Sequence, residues 1–194
     1  METDIKDSKE KGKLFTTQNL VLAGMFAAIM AVISQLSIPM PGGVPITIQV
    51  FGIALIGAIL GWKLGFFAVL IYILVGAAGL PVFHNFTGGF QSLVGLTGGY
   101  ILSWPIMAVF CGVHLFPEKK GLSLVSELVL AVTGLMIVEF IGAVQWAFLS
   151  NEKTLPAIII YSFAAFIPKD IVITVLGVLI GRQIKKPMTK AGLL

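Results

Sequence analysis

Between Lys13 and Glu118 the chain carries a single charged side chain, Lys63. A soluble fold needs a polar skin around its core, and so long a stretch with one charge cannot supply it. Over all 194 residues, hydrophobic side chains make up 57% and charged ones 11%, where soluble domains are about a quarter charged. The charges present cluster in the tails and in short connections. A soluble enzyme, a nucleic-acid-binding domain and a disordered chain are thereby excluded. The net charge of +4 is better read through membrane topology than as a sign of a polyanionic partner. One cysteine, Cys111, excludes a disulfide framework and a multi-cysteine metal site. The sequence reads as an integral membrane protein.

A helix crossing about 30 Å of hydrocarbon at about 1.5 Å per residue needs roughly 20 apolar residues. Six segments qualify or come close: Asn19–Ile38, Ile46–Leu60, Leu64–Leu80, Gly98–Phe116, Leu122–Leu149 and Asp170–Arg182. The second and last are short. Leu155–Ile167, an apolar stretch ending at Pro168, is read as an outer helix, a re-entrant segment or part of a longer last span. The expected class is all-α, a polytopic membrane protein with six transmembrane helices. Its parts are an N-terminal tail 1–18, a membrane domain 19–183 and a C-terminal tail 184–194. With six crossings, Lys6, Lys9, Lys11, Lys13, Lys63, Lys119, Lys120, Arg182, Lys185, Lys186 and Lys190 all fall on one side. The positive-inside rule makes that side, and both tails, cytoplasmic. No cleavable leader is evident ahead of the first span.

Candidate chemistry lies in the two uncharged outer connections and in a few intramembrane polar residues. The first connection holds Pro39, Pro41, Gly42, Gly43 and Pro45; the second, Pro81–Gln91, sets His84, Asn85, Thr87 and Gln91 among phenylalanines. Aromatic walls with a few directed polar groups suit a small, largely neutral ligand, though aromatic residues also belong at a membrane interface. Lys169 and Asp170 follow Pro168, and are read as opening the last span, since proline favours a helix start and aspartate suits its first turn. Asp170 would then lie roughly 18 Å from the cytoplasmic boundary, deep enough to require pairing or a wet cavity. The competing reading is a helix cap with a local ion pair. Glu139, mid-span, either lines that cavity or ties helices together, and Gln49 faces the same question. His84 and His114 fall on opposite sides, so they share no metal. Ala23, Ala27 and Ala31, with Gly24 and Ala28 beside them, form a small-residue stripe on the first helix, a surface for close helix approach within the chain or with a partner.

Four motifs in order resemble the BioY family. They are Ile38-Pro-Met-Pro-Gly-Gly-Val-Pro-Ile-Thr-Ile-Gln49 with Val50-Phe51-Gly52, Gly76-Ala-Ala-Gly-Leu-Pro-Val-Phe83, Gly95-Leu-Thr-Gly-Gly-Tyr100 and Phe166-Ile-Pro-Lys-Asp170. The resemblance runs from about Leu20 to about Lys186. It implies the S-component fold and a subunit of an energy-coupling factor (ECF) transporter in a prokaryotic cell membrane, taking biotin from outside. It also implies a transmembrane coupling protein and two cytoplasmic ABC ATPases as partners, with Ala23, Ala27 and Ala31 as the coupling-protein contact. The subunit itself would be no enzyme: no catalytic residue, cofactor or metal is expected, and nothing resembles a phosphate-binding loop. For biotin, Asp170 and Asn85 suit the ureido ring, Phe83, Phe86, Tyr100 and Trp146 the apolar body, Lys169 the carboxylate and Gln49 a further polar contact. Two positions depart from the family pattern. Ile173 stands where many members have a lysine three residues after the aspartate, and Leu96 replaces a common proline.

An S component for another small vitamin remains open, although a strongly anionic one would want more cations than Lys169. An intramembrane enzyme would need a nucleophile–base pair or metal cluster at one depth, and Glu139 with two separated histidines makes neither. A membrane assembly protein without a ligand would leave the aromatic outer loops and the Lys169–Asp170 pair unexplained.

Overall fold

The structure is a computed structural model that describes residues 16–40, 43–116, 120–150 and 155–194. Lys6, Lys9, Lys11, Lys13, Pro41, Gly42, Lys119 and Lys153 lie outside the described residues, as does the Lys120 side chain. The elements run α1 (Thr17–Ile33), β1 (Ser37–Ile38), β2 (Ile46–Thr47), α2 (Gln49–Ala77), a 3-10 turn at His84–Phe86, α3 (Gln91–Val94), α4 (Gly98–Gly112), α5 (Lys120–Leu149) and α6 (Leu155–Lys190). The all-α expectation holds, with one addition. The first outer connection folds into a two-residue antiparallel ribbon pairing Ser37 with Thr47 and Ile38 with Ile46.

Helix α2 is two limbs. Gly61 takes φ 77° and ψ 174°, a conformation open to glycine because it has no Cβ. Gly57 and Gly65 would be about 12 Å apart along a straight helix, yet a Cβ on Gly65 would lie 3.2 Å from Gly57 Cα. The chain therefore folds back at Gly61, which separates the expected second and third spans and leaves Lys63 just past the bend.

α2 packs along α1, α4 and α6, and α5 closes the bundle between α4 and α6. Ile53, Ala54, Ala58, Met107, Ala108, Leu135, Val138 and Val178 are fully buried between them. Gly177 and Gly181, one turn apart on α6, let it meet α2 closely: added Cβ atoms would lie 2.7 Å from Phe51 O and 2.7 Å from Ala58 Cβ. Such small-residue spacing is how helices pack where lipid provides no hydrophobic drive between them. The outward faces are apolar as well: Val21, Met25 and Val32 on α1, Val129, Phe140 and Phe148 on α5, Ile160 and Val172 on α6 are all exposed. The helices Gly121–Leu149 and Pro156–Lys190 are long and apolar enough to cross a membrane.

Two expectations need correction. Pro168 does not begin the last helix. α6 starts at Leu155 and passes through Pro168 without a break in its assignment, because the apolar run before the proline extends the helix. Lys169 and Asp170 are thus mid-helix residues, and the helix-cap reading of Asp170 falls. The alanine stripe also faces the other way. Ala23 and Ala27 are buried in the bundle and Ala31 packs against the core, whereas Gly24 and Ala28 are exposed. Alanines four residues apart mark a face but not its direction.

The helix crossing provides a test. Gly177→Leu must displace α2 backbone and is expected to cost roughly 1–3 kcal/mol, read as a lower thermal midpoint in detergent. Gly24→Leu, whose added Cβ meets nothing within 4 Å, is the control and should stay near the parent value.

Candidate functional site

At the end of the bundle opposite the Gly61 bend, a cavity opens between the outer connections and the helix ends. Val44, Pro45 and Thr47 form one rim, Gln49 and Val50 enter from the start of α2, and His84 from the second loop. Thr97, Tyr100, Ile101 and Trp104 line it from α4, Val138 and Glu139 from α5, and Phe166, Lys169 and Asp170 from α6. The lining is thus an aromatic and aliphatic shell with a handful of polar side chains.

The polar groups fall into two sets. Some are held by the protein. Tyr100 Oη and Ser162 Oγ lie 2.8 Å apart, and the Ser162 hydroxyl donates to Glu139 Oε2 at 3.4 Å. Lys169 Nζ donates to the carbonyl of Thr47 at 2.5 Å, tying α6 to the ribbon. The same ammonium lies 2.5 Å from Asp170 Oδ1, an ion pair. Others lack partners: Gln49 Nε2 and His84 Nδ1 are buried with no hydrogen bond, and both residues line the cavity. Buried polar atoms are nearly always satisfied, so two unpaired atoms facing one space, beside an aspartate oxygen held by one lysine, mark where a ligand's donors and acceptors would go.

The loop carrying His84 is fixed from below. Asn85 and Phe86 take φ 52° and 56°, a left-handed conformation that costs a non-glycine residue roughly 1–2 kcal/mol. Gln35 offsets this. Its Nε2 donates to Phe83 O at 3.1 Å, and its Oε1 accepts from the Phe86 amide at 2.8 Å. Ser37 donates to Asn85 Oδ1 at 2.8 Å. Underneath, Tyr72 donates to Val82 O at 2.9 Å and shares a 2.7 Å hydrogen bond with Ser34.

Of the residues singled out from the sequence, Gln49, Tyr100, Lys169 and Asp170 are brought together around the cavity. Phe83, Phe86, Asn85 and Trp146 are not among its lining residues. Phe83 is fully buried, edge-on to Tyr72 at 5.6 Å. Phe86 is 71% exposed. Asn85 is exposed and bonded to Ser37. Trp146 stacks behind Phe166 at 6.4 Å, outside the cavity wall. Sequence reasoning left Glu139 between two roles; it faces the cavity. Trp104 and Phe166 went unselected: their helical periodicity marks them as inward, but nothing in it separates cavity from core. Thr47 and Thr97 lie within the family motifs but carry no signal beyond that membership.

At the other end, Glu127 accepts from Ser123 Oγ at 2.7 Å and from Arg182 Nη1 at 2.5 Å. His114 Nδ1 lies 2.9 Å from Glu127 Oε1, and its Nε2 lies 2.8 Å from Lys185 Nζ. A neutral ring that donates at Nδ1 and accepts at Nε2 satisfies both. His84 and His114 therefore serve opposite ends, and among the described residues no cluster of His, Cys, Asp and Glu could hold a metal.

Comparison with known proteins places these features. The BioY family model matches residues 6–190. The biotin transporter BioY of Thermotoga maritima is 40% identical over 169 residues, 87% of this chain and 96% of that protein. A probable biotin transporter BioY of Pyrococcus horikoshii is 36% identical over 164 residues, 84% of this chain and 94% of that one. Among solved structures, the 2.1 Å crystal structure of the S-component for biotin from an ECF-type ABC transporter superposes with a TM-score of 0.77 at 31% identity. It covers 92% of this chain and 93% of that one.

Burial holds the His84 imidazole below its ordinary value, so the unfolded chain takes up that proton more readily than the folded one. Its contribution to stability is complete above about pH 6.5 and is lost as the pH falls. The unliganded protein should melt at a lower temperature at pH 5 than at pH 7.5, and His84→Gln should narrow the gap. An unchanged gap in the variant would assign the acid sensitivity to other groups.

Proposed function

The chain belongs to the BioY family, and on that premise we propose that its cavity is the biotin site of an ECF-type S component. The observation that carries the assignment is the pair of unpartnered polar atoms, Gln49 Nε2 and His84 Nδ1, beside the Asp170–Lys169 ion pair around one aromatic-walled space. Biotin's ureido ring offers two N–H donors and a carbonyl acceptor. An aspartate oxygen takes an N–H, a glutamine amide gives one to the carbonyl, and a ring nitrogen serves either purpose. Tyr100, Trp104 and Phe166 suit the fused rings and the valeryl chain. Lys169, still partly exposed at the rim, is the cation within reach of the valeryl carboxylate.

Asn85, Phe83, Phe86 and Trp146 enter this reading as supports. Asn85 and Phe86 shape the loop that aims His84, Phe83 anchors it, and Trp146 backs Phe166. Ile173 lies one helical turn from Lys169 and leaves Lys169 to perform whatever its family counterpart does for the carboxylate.

As a family member of this kind, the subunit is a membrane protein without an enzymatic role of its own. Energy would come from two ABC ATPases acting through a transmembrane coupling protein. Six crossings, a cavity facing outward and tails 1–18 and 184–194 on the cytoplasmic side complete the proposal, supported by the bias of Lys and Arg toward one side. The burial of Ala23 and Ala27 moves the expected partner surface to the opposite face of α1, around Gly24 and Ala28, where small side chains are exposed and another helix can approach.

Calorimetry of biotin on detergent-purified protein, checked for co-purified ligand, tests the central claim; a folded, ligand-free preparation that does not bind would refute it. Asp170→Asn should weaken binding by roughly 1.5–3 kcal/mol through loss of a charge-assisted acceptor. Ala28→Trp should retain biotin binding and prevent co-purification with a coupling protein, whereas Ala27→Trp should lower the thermal midpoint itself. If Ala28→Trp assembles normally, the contact lies elsewhere.

A further inference from the structure

The cavity contains two acids and one lysine, and the proposed ligand adds a third acid. Asp170 has its cation at 2.5 Å. Glu139 is 2% exposed, and the hydrogen bond it accepts among the described residues is a long one, 3.4 Å from the Ser162 hydroxyl. The titratable groups facing this space are His84 from the loop, Tyr100 from α4, Glu139 from α5, and Lys169 and Asp170 from α6; α1 adds none, and α2 adds only the neutral Gln49. With Glu139 ionised, the empty cavity has a net charge of −1. A bound carboxylate would make that −2 in surroundings where unscreened charges interact strongly.

We infer that Glu139 is a proton acceptor coupled to ligand binding, so that an anionic ligand enters together with one proton from solvent, which ends on the Glu139 carboxyl. This rests on the biotin reading and extends it. The incoming charge is then neutralised without a second buried cation, and Lys169 stays shared between Asp170 and the ligand. Glu139 receives the proton rather than Asp170 because a cation already stabilises the Asp170 carboxylate, while a single hydroxyl faces Glu139. The hydroxyl chain suits the change. With Glu139 ionised, Ser162 donates to it and Tyr100 can donate to Ser162. With Glu139 protonated, the chain can run in reverse, since both hydroxyls donate and accept.

The test is calorimetric titration of biotin from pH 6 to pH 9 in buffers of differing ionisation enthalpy, which counts protons taken up per ligand bound. Biotin's carboxylate remains ionised throughout this range. Uptake should rise toward one proton per biotin as the pH increases, with affinity falling up to tenfold per pH unit where uptake is complete. Biotin methyl ester, which adds no charge, should bind without uptake. Glu139→Gln should abolish the uptake, leaving an affinity for biotin that is flat with pH whatever its absolute value. No uptake by the parent protein at any pH, with biotin still binding, overturns this inference alone. Uptake that survives in Glu139→Gln but disappears in His84→Gln moves the proton to the histidine and also overturns it. Failure to bind biotin at every pH overturns the ligand reading as well.

Discussion

A polar group in hydrocarbon has no water to turn to, and the placement of partners inside the chain organises this molecule. Ser34, Tyr72 and the carbonyl of Val82 satisfy one another beneath the second outer loop. Ser123, His114, Arg182 and Lys185 surround Glu127 at the far end. The region around the cavity departs from this pattern, with the unpaired Gln49 Nε2 and His84 Nδ1 gathered there. Incomplete pairing is costly, and the fold confines it to the place where a ligand can make up the deficit.

The two ends are held differently. Around Glu127 a carboxylate is matched by cations and a hydroxyl, which ties the end of α4 to α5 and α6. Around the cavity a single lysine touches both an acid and a backbone carbonyl, joining α6 to the ribbon. One end is closed by charge neutralisation; the other relies on one strap and a loop braced by Gln35. Among the described residues, Lys63 beside the bend also lies toward the first of these ends.

Much of this was legible before any coordinates. The charge-free runs give the helices, and the connection carrying Lys63, expected between the second and third spans, falls at the Gly61 bend. Asp170, Lys169, Gln49 and Tyr100 stood out because each is polar or amphipathic in an apolar frame, and the cavity gathers all four. Where the reading missed, a physical ambiguity lay behind it. Proline is favourable at the start of a helix and tolerable inside a membrane helix, so Pro168 alone cannot say which it is. Aromatic residues near a polar loop can form a cavity wall, the layer behind it or an exposed membrane-interface surface. Trp146, Phe83 and Phe86 proved to lie away from the wall, and the choice depends on side-chain direction that spacing does not encode. The alanine stripe had two possible directions, and the packing of α1 on α2 selected one.

α6 has 36 residues, so it measures roughly 54 Å, nearly twice the thickness of a hydrocarbon core. A rod of that length must lean steeply or project beyond the bilayer. One rung is missing beside the cavity, because Pro168 has no amide hydrogen to give to the carbonyl of Ala164; Pro187 removes another near the far end. The helix is therefore more compliant next to Lys169 and Asp170, and the stretch from there to Pro187 acts as a lever arm. A small angular change where the ligand sits becomes a displacement of many ångströms near Lys190, on the side where the proposed partners would wait.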